Sequence, residues 1–371
     1  MRRLSLKEIR LKHLMFGIIL TVLVIVVFRI RASVENVYVD HAWKVKPTKQ
    51  PMSSNYTIHD VLLIGYVMGG TVFPAEVLGM RSGHFYVQEP LHKIAKHQYF
   101  KPGYICNMLD MQCNATTFAD REALGIVQAV YQCDNTRYKA HLRMWQLRKI
   151  VGDQSNWQQN VKTHCGDEQH KDCRARILSQ CSVSVSRVVS TPRLSLSLAS
   201  RLLEQIPKLK IIHVLRDPRA MMNSILRAKW PLQSEEINTA RSVCQKLRDD
   251  LAESSLIKRV LQGRILTVFH ENLATTPEKT MQEIFDFVGY KIDEKGLLLK
   301  KSKKLFYDNS TLTAELWRTQ VPWHVVKVTN DVCADLYRLL GYPGLVDRYE
   351  LYNNSIPLLI PTNDRDTIQS G

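Results

Sequence analysis

The sequence is short of acid. It has 35 Asp and Glu against 51 Lys and Arg in 371 residues, a formal charge of +16, and such an excess first raises nucleic acid as a partner. No zinc-finger spacing, RNP pattern or aromatic-interleaved basic stretch accompanies that charge, so no nucleic-acid groove is expected. No CxxC pair marks a metal centre, and none is expected. GxGxxG is missing, which argues against a dinucleotide-binding dehydrogenase. No glycine loop ends in Gly-Lys-Ser/Thr, which excludes a kinase-type P-loop. With 16 glycines, 14 prolines, 45% hydrophobic and 23% charged residues, the chain is neither collagen-like nor disordered. Its length suits two domains of about 150 residues, or a single α/β domain of roughly 250 to 300.

Long apolar runs are also scarce. The exception is Leu14 to Phe28 (LMFGIILTVLVIVVF), preceded by Arg2, Arg3, Lys7, Arg10 and Lys12 and followed by Arg29 and Arg31. Residues 1–50 hold ten Lys/Arg and three Asp/Glu, so +7 of the charge is local and +9 is spread over the rest. That remainder suits an anionic small molecule or a glycan. The flanking arginines and the lack of a small-x-small cleavage site favour an uncleaved signal anchor over residues 14–31. The charge balance leaves residues 1–13 cytoplasmic and the body lumenal, and so short a span suits a thin early-secretory or Golgi bilayer better than the plasma membrane. Four sequons, at Asn55, Asn114, Asn309 and Asn353, and eight cysteines all lie beyond the anchor. Disulfides are expected there, with the pairing left open.

Residues 32–57 read as a stem and residues 346–371 as a poorly ordered tail, leaving 58–345 as the folded body. Val61 to Tyr66 reads as a buried strand, followed by a Met68-Gly69-Gly70-Thr71 loop and a helix from Val72. Residues 101–182 hold six cysteines and read as a cysteine-rich insertion stapled over the core, with helices near 118–132 and 138–151. Strands at Val183 to Val189, Lys210 to Leu215 and Arg264 to Phe269 then alternate with helices at Ser195 to Gln205, Pro218 to Ala228, Glu235 to Leu256 and Pro277 to Val288. That alternation predicts an α/β fold, a parallel sheet flanked by helices, with ligands at the carboxyl ends of the strands.

The densest stretch is Ile211 to Trp230, IIHVLRDPRAMMNSILRAKW. Asp217 and Pro218 stand as N-cap and first helical residue, so Arg216 emerges at a strand end. Its guanidinium and the Ser224 hydroxyl can meet one phosphate; a strand-end ion pair with a carboxylate is the alternative.

Here the chain resembles the membrane-anchored Golgi carbohydrate sulfotransferases, of the type that sulfates the 6-hydroxyl of N-acetylglucosamine or galactose. VLRDPRAMMNS is similar to the family's 3'-phosphate motif. Gln88-Glu89-Pro90-Leu91 resembles its Phe-Glu-Pro-Leu block, Phe269-His270-Glu271-Asn272-Leu273 its Tyr-Glu-Asp-Leu block, and Trp317-Arg318 and Leu339 to Tyr342 its C-terminal pieces. The resemblance implies a P-loop-like sulfotransferase fold and 3'-phosphoadenosine 5'-phosphosulfate as co-substrate, without a metal. It further implies a glycan, glycoprotein or proteoglycan acceptor, a Golgi-membrane anchor, and room for a homodimer. Arg216, Ser224 and Arg318, with Gly69, Gly70, Thr71 and Phe73, are the donor-binding residues it implies. The 5'-phosphosulfate loop departs from the family's Arg-Ser-Gly-Ser-Ser-Phe pattern: Met68 replaces the Arg, and Ser190 stands where a Lys is frequent. Arg193, Arg318 or a lysine between Lys300 and Lys304 are the replacements open to the sequence. Glu89 is the candidate base and His92 the second choice, with a structural ion pair as Glu89's alternative. A catalytically weakened, glycan-binding or complex-forming relative is the other reading of the missing cation.

Overall fold

The computed structural model describes residues 58–79, 83–110, 112–134, 178–228, 236–290 and 314–360. The expected signal anchor and stem, the helix expected near 138–151 and the lysine cluster at 300–304 lie outside them. The compact unit that holds the described residues begins at Tyr56.

Five short strands make the central sheet. They are β1 (Asp60–Ile64), β2 (His84–Gln88), β6 (Ser186–Thr191), β7 (Leu209–Leu215) and β8 (Ile265–Phe269), in the order β2-β6-β1-β7-β8, with every pair parallel. A parallel sheet is covered on both faces, and β1, β2, β6 and β7 are buried along nearly their whole length, the polar residues of β6 included. Successive residues of β1 serve opposite layers. Leu62 and Ile64 pack with Phe85, Val87, Leu124, Val127, Leu198 and Leu202. Val61 and Leu63 pack with Leu78, Ile212, Met281, Ile284 and Phe285.

The helices on these faces are α1 (Val72–Gly79), α2 (Ala119–Gln132), α3 (Leu196–Ala199), α4 (Arg201–Gln205), α5 (Pro218–Arg227), α6 (Glu236–Val260), α7 (His270–Thr275) and α8 (Pro277–Val288). Near the chain's end come α9 (Trp317–Gln320), α10 (Trp323–Leu340) and α11 (Arg348–Tyr352). A third apolar cluster joins α5, α6 and α10 through Met221, Met222, Val243, Leu247, Val326 and Leu336.

The expected parallel α/β architecture is what the chain adopts. Within the cysteine-rich region, the described part is an antiparallel sheet of β3 (Gln98–Lys101), β4 (Tyr104–Asn107) and β5 (Cys113–Ala115), followed by α2. Three disulfides, Cys106–Cys113, Cys133–Cys181 and Cys244–Cys333, pair the cysteines among the described residues; Cys165 and Cys173 lie outside them.

Three expectations shift. The strand read over Val183 to Val189 starts at Ser186 and runs to Thr191, because Val183 and Val185 are exposed. The single helix read over Ser195 to Gln205 is two, α3 with Ser195 as its N-cap and then α4. The tail read from Val346 is ordered in part: Asp347 caps α11, Leu351 is buried in the third cluster, and the Ile360 amide donates to the Gly341 carbonyl at 2.8 Å.

Candidate active site

The chain leaves β1 toward β2 on one side of the sheet and leaves β7 toward β8 on the other. A crevice therefore opens between β1 and β7 at their carboxyl ends, where open α/β sheets bind ligands.

The β1 side of the crevice is the loop 65–71. The Gly69 amide closes a turn on the Tyr66 carbonyl at 2.9 Å, and a Cβ at Gly69 would stand 2.8 Å from the Tyr66 nitrogen. Gly70 has a φ of 84° and lies against the His270 ring, which a side chain there would strike. Thr71 is buried and its carbonyl accepts from the Ala75 amide, so it ends the loop where α1 begins. The first amides of a helix have no partner within it and favour an anion; Phe73 lies in that first turn. Under the loop, the buried Lys246 ammonium donates to Asp250 at 2.7 Å and to the Gly65 carbonyl at 3.3 Å, over the Tyr66 ring.

The β7 side is Arg216 and what fixes it. The Asp217 carboxylate caps α5 by accepting from the Arg219 amide and holds the Arg219 guanidinium in a fork, with Nη2 to Oδ2 at 2.8 Å. Arg219 lies over the Tyr337 ring and has no exposure, so the turn is locked from below. Arg216 Nη1 then donates to the Met68 carbonyl at 2.6 Å and to Ser224 Oγ at 3.3 Å. Its Nε is buried and has no hydrogen-bond partner among the described residues. The alternative read from sequence is an ion pair with Asp217 or another carboxylate; no carboxylate among the described residues is hydrogen-bonded to Arg216, though the charges of Glu271 and Asp217 act on it. Asp217 is committed to Arg219.

Two titrating groups border the guanidinium. Burial and the Arg216 charge lower His270 to about 3, so its ring is neutral and supplies no cation to the loop. Burial, opposed by the Asp217 amide, raises the Glu271 carboxyl to about 7. Glu271 accepts from that amide at 2.9 Å and from the Tyr342 hydroxyl at 3.1 Å.

Glu89 and His92 follow β2, beyond β6 in the sheet. Glu89 has a φ of 51°, its amide donates to the Ser190 carbonyl and its carbonyl accepts from the His92 amide. Arg193, just past β6, brings the two side chains together: Nη1 donates to Glu89 Oε2 and Nη2 to His92 Nδ1 at 2.7 Å. Arg318 lies close enough to the β7 turn to feel the charges of Asp217 and Arg219, but its fork is turned away from Arg216. Its Nη groups donate to the carbonyls of Asn353, Ile356 and Pro357, which ties α9 to the chain beyond α11.

Sequence reasoning missed Lys246, His270 and Glu271 as parts of this site. Lys246 and Asp250 form an i,i+4 pair that on a long helix reads as a surface pair. His270 and Glu271 sat in a block already singled out, and their position at the end of β8 was the available signal.

A model of the sulfotransferase family matches residues 110–294, a stretch that includes Arg193, Arg216, Ser224 and His270. Carbohydrate sulfotransferase 3 of Tetronarce californica is 25% identical over 349 aligned residues, covering 81% of this chain and 76% of that protein. The human carbohydrate sulfotransferase 3 is 23% identical, covering 81% and 70%. Rat carbohydrate sulfotransferase 1 is 27% identical over 176 residues, 41% of this chain and 43% of that protein. Among solved structures, the sulfotransferase domain of the curacin biosynthetic pathway aligns over 76% of this chain and 98% of its own at 11% identity and a TM-score of 0.41. Mouse sulfotransferase SULT7A1 complexed with PAP aligns over 76% and 84% at 13% identity and 0.35. The family match and these sequence relatives, found over the stretch that carries the β7 turn, make the chain similar to the carbohydrate sulfotransferases.

Proposed function

We propose that the chain transfers a sulfo group from 3'-phosphoadenosine 5'-phosphosulfate to a glycan hydroxyl, the 6-hydroxyl of N-acetylglucosamine or galactose, in the Golgi lumen behind an N-terminal membrane anchor. The observation that carries this reading is Arg216, whose one Nη1 touches both the Met68 carbonyl of the loop and Ser224. Its buried, unpartnered Nε is a donor for an anionic oxygen, so the residues at the crevice fit a nucleotide bearing a 3'-phosphate. The 5'-phosphosulfate falls to the loop amides at α1 and to Thr71.

Sulfuryl transfer resembles phosphoryl transfer in needing in-line positioning and donors that face the leaving oxygens. The acceptor hydroxyl oxygen attacks sulfur, the bond from sulfur to the 5'-phosphate oxygen breaks with its electron pair on that oxygen, and the hydroxyl proton passes to Glu89. Adenosine 3',5'-bisphosphate leaves.

One observation favours the second reading, a weakened relative that binds glycans or assembles with partners. Position 68 offers a carbonyl to Arg216 where the family resemblance implies a cation, and Arg193 is engaged by Glu89 and His92. The test uses the full-length chain with labelled donor and a panel of acceptors, chitobiose, N-acetyllactosamine, keratan and desulfated chondroitin. Transfer by the wild type that falls about 10²- to 10³-fold in Arg216→Ala is the expected result. Nucleotide binding without transfer, with transfer restored by Met68→Arg, establishes the weakened relative, and no nucleotide binding overturns both.

A further inference from the structure

Glu89 and His92 share one buried partner. The Arg193 side chain is 3% exposed and the Glu89 side chain 27%, so the guanidinium lies below the carboxylate and nearer the core. It is anchored from behind. Nε donates to the Ala95 carbonyl at 2.8 Å and Nη2 to the Lys96 carbonyl at 3.0 Å, while the Arg193 amide is held by Thr191 Oγ1 and its carbonyl by the Phe100 amide. What is left of the fork faces Glu89 Oε2 and His92 Nδ1. A guanidinium has no lone pair to accept with, so it is the donor in both contacts. The Nδ1 lone pair of His92 is thereby occupied, and a neutral imidazole so held carries its proton on Nε2. Such a ring donates and does not take up a proton.

We propose that Arg193 is a positioning residue that holds the Glu89 carboxylate as the proton acceptor and fixes His92 as a hydrogen-bond donor, excluding it as a second base. The proposal rests on the reading of Glu89 as the base. Glu89 stands in the left-handed region, where a side chain other than glycine's is strained, and Arg193 is the contact that holds its carboxylate there. Removing the guanidinium lets the carboxylate leave its pose and takes away the opposite charge that favours its ionised form.

The experiment uses the full-length chain with Arg193→Gln, Arg193→Lys, Glu89→Gln and His92→Gln. Each is measured for binding of adenosine 3',5'-bisphosphate, for kcat and acceptor KM, and for the pH dependence of kcat. In Arg193→Gln the bisphosphate affinity is expected within about twofold of wild type, kcat about 10²-fold lower, and the acid limb of the profile at higher pH. The double variant Arg193→Gln, Glu89→Gln is expected no slower than Glu89→Gln alone, since residues that act as a unit are not additive. Arg193→Lys keeps the charge and loses the fork, so its acid limb stays while kcat falls about tenfold; it also serves if Arg193→Gln loses its thermal transition. Wild-type kcat and profile in a folded Arg193 variant overturn the positioning role, as does loss of the acid limb in His92→Gln. Wild-type kcat in Glu89→Gln sinks the underlying base assignment instead, and loss of bisphosphate binding by the wild type sinks the donor reading.

Discussion

Glu271 is a buried carboxyl in the first turn of α7, against the β7 turn. Its two oxygens accept from the Asp217 amide and the Tyr342 hydroxyl, so it connects the Arg216 turn to the end of α10. Burial raises its pKa from 4.5 to about 7, which means that the folded chain holds this proton more tightly than the unfolded one. The stability it contributes is full below pH 4.5 and is lost as pH rises through about 7. Glu271→Gln keeps an oxygen for the Asp217 amide and removes the titration. Its stability is expected to be flatter over that window by on the order of 3 kcal/mol. Thermal melts of both proteins across the window check this, and parallel curves overturn it. At this scale the sequence was legible where a residue acts through its neighbours. Asp217, Pro218 and Arg216 could be read as cap, first turn and strand end because the chain is continuous there. Arg193 and Glu89 meet across 104 residues of sequence, and no local pattern records such a meeting.

Elements were legible where burial and periodicity agree. α8 shows Met281, Ile284, Phe285 and Val288 on one buried stripe, and its bounds follow from Pro277 and the αL Gly289. β6 was displaced because Ser-Val-Ser-Val-Ser alternates whether or not it is buried, and Val183 and Val185 lie on the surface. The pairing of cysteines could not be read, since eight thiols allow 105 arrangements and only the folded chain brings α6 to α10. That contact gives a prediction. Cys244–Cys333 spans 89 residues of sequence and Cys106–Cys113 only 7, and loop-closure entropy grows with the loop. Replacing Cys244 and Cys333 by Ala is expected to cost about 2 to 5 kcal/mol, more than the same change at Cys106 and Cys113. Denaturant unfolding of the two variants decides it, and the reverse order rejects the loop argument.

The whole molecule carries its sequence-level topology outside the described residues, and no helix among the described ones is long and apolar enough to cross a membrane. If the Leu14 to Phe28 run anchors a lumenal body as proposed, the exposed sequon asparagines Asn114 and Asn353 face the glycosylation machinery. The full-length protein is then expected to resist carbonate extraction and to lose mass on treatment with peptide N-glycosidase, with Asn114→Gln removing one step. An extractable protein of unchanged mass rejects the lumenal anchor. The parallel sheet and its crevice were readable from the alternation of strands and helices. The order of the strands was not, because β6 enters between two strands that precede it in the chain.

That insertion governs how the molecule comes to exist. β1 and β2 are synthesised close together, yet neither bonds the other; both pair with β6, whose first residue is Ser186. Until the ribosome has passed that point, β2 has no partner in the sheet and Glu89 has no guanidinium. Non-local pairing of this kind is slow, because the intervening chain must be closed before any contact rewards it. Cys133–Cys181 shortens that closure by tying the end of α2 to the approach of β6. Closing that disulfide therefore does more than harden the finished fold: once formed, it shortens the search by which the candidate base meets the residue that holds it.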